Sequence, residues 1–123
     1  QAELWLDGGH NAAAGTALAE VLANLPKRPT HMICGMLNTK DVTGYLAPLA
    51  KQAQSLTAVS IPGEAATLSA EETAAAAAKV DLPASTANSV AEALDTIVAK
   101  DPHARILICG SLYLAGNILR ENG

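Results

Sequence analysis

"LWLDGGHNAAAG", residues 4–15, opens with apolar side chains that read as a short buried strand, breaks at Asp7-Gly-Gly-His-Asn, and resumes as an alanine-rich helix. A strand handed to a helix through two consecutive glycines is the unit from which layered α/β domains are built. The same turn carries an acid, an imidazole and an amide. The helix that follows presents unpaired N–H groups and a partial positive charge to anything held there. Asp7 suits two hydroxyl groups of a ribose, and His10 suits a carboxylate or an amine. A purely structural role is the alternative: Asp7 braces the turn and Asn11 caps the helix.

Working outward, the same alternation repeats. Glu3–Leu6 is the first strand, and apolar residues at Ala14, Ala17, Leu18, Val21, Leu22 and Leu25 form a helical stripe stopped by Pro26 and Pro29. "THMIC" (30–34) is a second strand, followed by the loop "GMLNTKD" and a helix over 41–54 carrying Leu46, Leu49, Ala50 and Ala53 on one side. Pro48 inside that helix should kink or delay it. Leu56–Ile61 is a third strand. Ser69-Ala-Glu-Glu and Ser89-Val-Ala-Glu are capping boxes that start two further helices, the second with Ala93, Leu94, Ile97 and Val98 inward. Between them residues 83–87 form a short edge strand. "RILIC" (105–109) is a continuous apolar strand, and Gly110-Ser111 turns into a last helix with Ala115, Ile118 and Leu119 inward. Strands apolar on both faces require a parallel sheet covered on two sides. The expected fold is a Rossmann-like three-layer α/β/α domain with a mostly parallel sheet.

At 123 residues the chain is one domain. Half of it is apolar, with no phenylalanine and 2% aromatics, so Ala, Leu, Val and Ile must build the core. A net charge of −4 with eight scattered basic residues argues against a nucleic-acid surface. No apolar run reaches the roughly 18 residues of a membrane span. Cys34 and Cys109 each close an apolar run before a glycine and read as buried thiols of a reducing, cytoplasmic setting, although two strand ends could bring them within disulfide range. Three isolated histidines have no metal spacing, and no structural metal is expected. His31 and His103 sit at strand entrances and read as surface or packing residues. The start, Gln-Ala-Glu-Leu, reads as a piece of a longer polypeptide.

Ligands of such sheets gather beyond the carboxyl ends of the strands. Three loops there hold the most polar residues of the chain: Asp7 to Asn11, "GMLNTKD" with Lys40, and Cys109-Gly-Ser111. Ser111 caps its helix or binds a carboxylate, and the two roles are compatible. A nucleophilic role is not expected, because G-x-S-x-G is absent. Lys40 with Asp41 is either a solvated pair at a helix start or a point charge for a substrate carboxylate. No G-x-G-x-x-G follows the first strand and no Walker A sequence exists, so neither a dinucleotide nor a triphosphate is cradled by this chain alone.

"LDGGHNAAAG", "GMLNTKD" and "ILICGSLYLAG" resemble, in that order, the three motifs of the C-terminal domain of folylpolyglutamate synthase and dihydrofolate synthase, members of the Mur ligase superfamily. The resemblance runs from Leu4 to Leu119. Gly9 and Ala12 stand where that family commonly has Ala and Pro, and Thr39 stands where it has an acid. The resemblance implies a C-terminal domain of Mur ligase type in an ATP-dependent amide ligase that adds L-glutamate to dihydropteroate or folate through an acyl phosphate. It implies that Asp7 meets the ATP ribose with Asn11 supporting the turn, and that His10, Ser111 and Lys40 bind glutamate. ATP and Mg2+ would be held mainly by a central ATPase domain of the same chain, leaving this domain inactive alone. Other Mur-type amino-acid ligases, and a free-standing module for small anions, are the alternatives.

Overall fold

A computed structural model of the chain describes residues 3–6, 12–36, 42–60 and 68–109. The elements run β1 (Glu3–Leu6), α1 (Ala12–Ala23), β2 (Thr30–Cys34), α2 (Val42–Leu49), β3 (Ser55–Ala58), α3 (Ala70–Lys79), β4 (Ala84–Thr86), α4 (Val90–Lys100) and β5 (Arg105–Cys109). The five strands form one parallel sheet in the order β1-β5-β2-β3-β4. This is the expected mostly parallel α/β sheet.

The register stacks side chains in rows across the sheet. Trp5, Leu107, Met32 and Leu56 are successive partners in one row. They face a core built with Leu22 of α1, Tyr45, Leu46 and Leu49 of α2, and Ala77 of α3. The opposite face carries Ile33, Ile106 and Ile108 against Val90, Ala93 and Ile97 of α4. Parallel strands cross over through helices, so both faces must be covered, and β5 is buried at all five positions.

Several local expectations change in this setting. β1 is not buried but an edge strand, with Leu4 and Leu6 exposed and Glu3 and Trp5 half-buried. Its single neighbour, β5, leaves one flank open. On α1 the stripe is rotated: Ala14, Leu18, Leu22 and Leu25 face the core as read, whereas Ala17 and Val21 are exposed. Gly15 and Ala19 take their place, because α1 makes its closest approach to α2 at Gly15. Val98 of α4 is likewise exposed rather than inward.

Helix α2 spans 42–49 rather than 41–54. Pro48, which has no N–H to donate, sits one residue from its end. β3 is described from Ser55 to Ala58, and Ile61 lies outside the described residues. The last helix, read from 111 onward, also lies outside them.

The two capping readings hold with one difference. Ser69 accepts from the Glu72 N–H at 3.1 Å while Glu72 Oε1 accepts from the Ser69 N–H at 3.0 Å, a complete reciprocal box. Those bonds hold the Glu72 carboxyl below the usual glutamate range. Ser89 accepts from the Glu92 N–H at 3.1 Å, but the Glu92 carboxylate turns to Asn88, taking bonds of 3.4 Å from its backbone and amide nitrogens.

Candidate functional site at the carboxyl edge

The topology brings the three motif-bearing strands side by side. β5 lies between β1 and β2, with Leu6 opposite Ile108 and Cys34 opposite Cys109. Parallel neighbours lie about 4.8 Å apart, so the three strand ends fall within about 10 Å of each other. From these ends the sequence continues directly into Asp7-Gly-Gly-His-Asn, into Asn38-Thr-Lys-Asp after Gly35-Met36-Leu37, and into Gly110-Ser111. The side chains of Asp7, His10, Asn11, Lys40 and Ser111 themselves lie outside the described residues. The structure therefore brings together the strand ends that precede them and leaves their mutual contacts unassigned.

The framework beneath this edge is buried and hydrogen-bonded. Gly35 N–H donates to the Cys109 carbonyl at 3.3 Å, extending the β2–β5 ladder one residue past β2. Met36 is fully buried, and its carbonyl accepts from Leu68 N–H at 2.8 Å. Helices α1 and α2, which start just after the first and second motifs, have no acidic residue in their first turns. By contrast α3 starts with Glu71 and Glu72, and α4 with Glu92. Carboxylates near a helix N-terminus offset its partial positive charge; α1 has none in its first turn, whereas Asp41 directly precedes α2 in the sequence.

Cys34 and Cys109 are register partners directly below the edge, both buried free thiols. The hydrogen bond that the Cys34 thiol donates to Cys109, with burial acting in the same direction, holds the Cys34 thiol well above its ordinary value. The thiolate is the reactive form, so Cys34 is not poised as a nucleophile, and burial shields both sulfurs from reagents in solvent. In the folded chain at pH 8 a disulfide reagent such as Ellman's is expected to modify neither thiol rapidly, and both once denaturant is added. A fast-reacting thiol without denaturant would contradict this picture.

Of the residues read as lying away from the site, His31 is half-buried, with Nδ1 2.7 Å from Ser55 Oγ and Nε2 3.7 Å from Asp101 Oδ2. His103 is exposed. Among the described residues no group of three His, Cys, Asp or Glu side chains is arranged to hold a metal ion, and no helix is long and apolar enough to cross a membrane. Sequence reading missed Gly15 and Tyr45, which set the α1–α2 spacing behind the first two motifs. A glycine within "AAAG" carries no signal except its small size.

The comparisons agree with this architecture. The family model for the C-terminal domain of dihydrofolate synthetase matches residues 1–121. Among curated proteins no sequence matches the chain. Among solved structures, a Mycobacterium tuberculosis folylpolyglutamate synthase complexed with ADP and AMPPCP superposes with a TM-score of 0.85 at 30% identity, covering 98% of this chain and 29% of that one. Escherichia coli FolC in complex with DHPP and ADP gives 0.78 at 24% identity, covering 94% and 27%. A Yersinia pestis bifunctional folylpolyglutamate synthase/dihydrofolate synthase with Mn, AMPPNP and L-glutamate bound gives 0.76 at 22% identity, covering 95% and 28%. The chain thus spans less than a third of each of these proteins.

Proposed function

The chain belongs to the dihydrofolate synthetase C-terminal domain family, and from that premise we propose that it is the glutamate-placing domain of an ATP-dependent ligase. The observation that carries the reading is the adjacency of β1, β5 and β2, whose carboxyl ends lead into the three motifs. The Mycobacterium tuberculosis relative holding ADP and AMPPCP, and the Yersinia pestis relative holding L-glutamate, support it.

In this reading ATP activates the carboxylate of dihydropteroate or folate as an acyl phosphate, the glutamate amine attacks the acyl carbon, and phosphate leaves. The part taken by this domain is binding and orientation. Asp7 accepts hydrogen bonds from the ribose hydroxyls while Asn11 supports the turn. His10 and Ser111 hold glutamate, and Lys40 meets one of its carboxylates as a point charge. The acid-free first turn of α1 favours anionic groups at the same mouth. Holding the amine against the activated carboxyl contributes roughly 7–11 kcal/mol toward the barrier when alignment is good. Mg2+ and the phosphates of ATP are assigned to a central domain of the same chain, which leaves this domain inactive alone. Two buried free thiols fit a reducing, cytoplasmic setting.

The test joins this chain to a matching N-terminal ligase half and follows ATP- and folate-dependent incorporation of labelled glutamate. His10→Ala with Ser111→Ala is expected to lower kcat/KM for glutamate by about 100-fold or more, the scale of a misplaced reactant, with KM for ATP nearly unchanged. Asp7→Ala should act in the opposite sense, raising KM for ATP. Undiminished glutamate incorporation by the double variant overturns the assignment.

A further inference from the structure

The amino edge of the sheet, opposite the three motifs, contains a cavity of about 410 Å³ between the end of α1, the 26–30 turn, residues 52–54 and the start of β5. Its lining includes Lys27, Arg28 and Arg105, three of the eight basic residues of a chain whose net charge is −4. Such a concentration of positive charge in an acidic protein calls for a local reason.

Arg105 is the informative member, because only 4% of it is exposed. A guanidinium at that depth needs partners for its five N–H groups. Its Nε donates to Glu3 Oε1 at 2.8 Å and its Nη2 to the Pro26 carbonyl at 3.0 Å. Nη1 has no partner among the described residues. It is not sealed in either, since Thr73 Oγ1 is the one buried side-chain polar atom among them lacking both partner and solvent contact. The remaining opening beside Arg105 is the cavity it lines.

Arg105 shares its carboxylate partner with a second guanidinium. Glu3 bonds Arg105 through one carboxylate oxygen and Arg28 through the other, at 3.2 Å. The Arg105 and Trp5 hydrogen bonds hold that carboxyl below the usual glutamate range, so it is fully ionised at neutral pH. One carboxylate thus serves two guanidinium groups. Arg105 stands on a strand and has no helix end to serve. Gln52 and Gln54 on the far wall add amide donors.

The geometry points to a binding site for a small dianion, whose carboxylate or phosphate oxygens meet the free edge of Arg105 and the ammonium of Lys27. Guanidinium groups match the paired oxygens of either group, and a cavity of this volume lies within the range of small-ligand pockets. The site is separate from the glutamate-placing mouth and does not depend on it.

The experiment titrates the ¹⁵N-labelled chain with inorganic phosphate, and separately with succinate, at constant ionic strength against a sodium chloride control. Saturable shifts of the Arg105 Nε–H and of the backbone amides of Lys27, Arg28 and Thr30 are expected. Saturation by phosphate alone identifies a phosphate site, by succinate alone a dicarboxylate site, and by both a general dianion site. Lys27 is exposed, so Lys27→Glu should leave the fold intact while weakening binding by about tenfold or more, a change of about 1.4 kcal/mol. Arg105→Lys, which keeps the charge but loses the planar fork, should weaken it too. Shifts that stay linear and equal to the chloride control, or unchanged affinity in Lys27→Glu, overturn the proposal and leave the ligase reading untouched.

Discussion

Gly15→Ala is expected to destabilise the domain by about 2 kcal/mol or more, although the same change in an ordinary helix would stabilise it. Alanine is favoured over glycine by about 1 kcal/mol in a helix interior. Against that gain, a Cβ at position 15 would sit 2.2 Å from the Tyr45 carbonyl oxygen and 3.0 Å from its carbonyl carbon. Both are backbone atoms of α2, and no rotamer change relieves the contact. The helices must separate by close to 1 Å, while Tyr45, Leu46 and Leu49 of the same helix are fully buried in the core. Overpacking of this kind costs roughly 1–3 kcal/mol, occasionally more. Urea unfolding monitored by circular dichroism decides the sign. Ala13→Gly, at an exposed position of the same helix, is the control and should cost no more than about 1 kcal/mol. A Gly15→Ala variant as stable as the parent would show that α1 and α2 are not in close contact. Because α1 and α2 start just after the first and second motifs, the same shift should also lower glutamate incorporation by the joined enzyme.

Leu107→Ala is expected to cost about 2–5 kcal/mol, the range for removing a fully buried leucine side chain. Leu107 has no exposed surface and lies on β5, between Trp5 of β1 and Met32 of β2. Sheet neighbours and helices close around it, so the cavity cannot collapse readily. Against a typical total of about 5–15 kcal/mol, that loss should lower Tm by roughly 10 °C or more. Leu4→Ala is the contrasting case. Leu4 is also a strand leucine with a β5 partner, yet it is 52% exposed and should cost little. Equal denaturant midpoints for the two variants would contradict the placement of β5 inside the sheet and β1 at its edge.

These two leucines mark the boundary between what local sequence carries and what it does not. "ELWL" and "RILIC" are both strand-forming, and nothing in either says which one acquires two neighbours. Apolar Leu4 and Leu6 fill the exposed positions of β1, although their sequence reads as buried. The rotated stripe of α1 has the same origin. Alanine and valine suit either face of a helix, so the approach of α2 at Gly15 decides which side turns inward.

For the candidate site the division is similar. Gly8, Gly9, Gly35 and Gly110 mark where strands stop, and the polar residues beside them are readable as one group only if their strands are neighbours. That β5, the last strand in the chain, inserts between β1 and β2 is a property of the sheet. The positions of Asp7, His10, Asn11, Lys40 and Ser111 beyond those ends lie outside the described residues, and their roles rest on the proposal tested above.

By itself the sequence determined the alternation of strands and helices, the caps at Ser69 and Ser89, and the family. These depend on backbone propensity and on hydrogen bonds spanning three or four residues, which neighbouring letters contain. Only the tertiary structure decided the strand order, the edge position of β1, the Gly15–Tyr45 approach and the burial of Arg105 beside Glu3, 102 residues away. Each of these follows from which distant surfaces exclude water together, and that free energy belongs to pairs of segments rather than to any one of them.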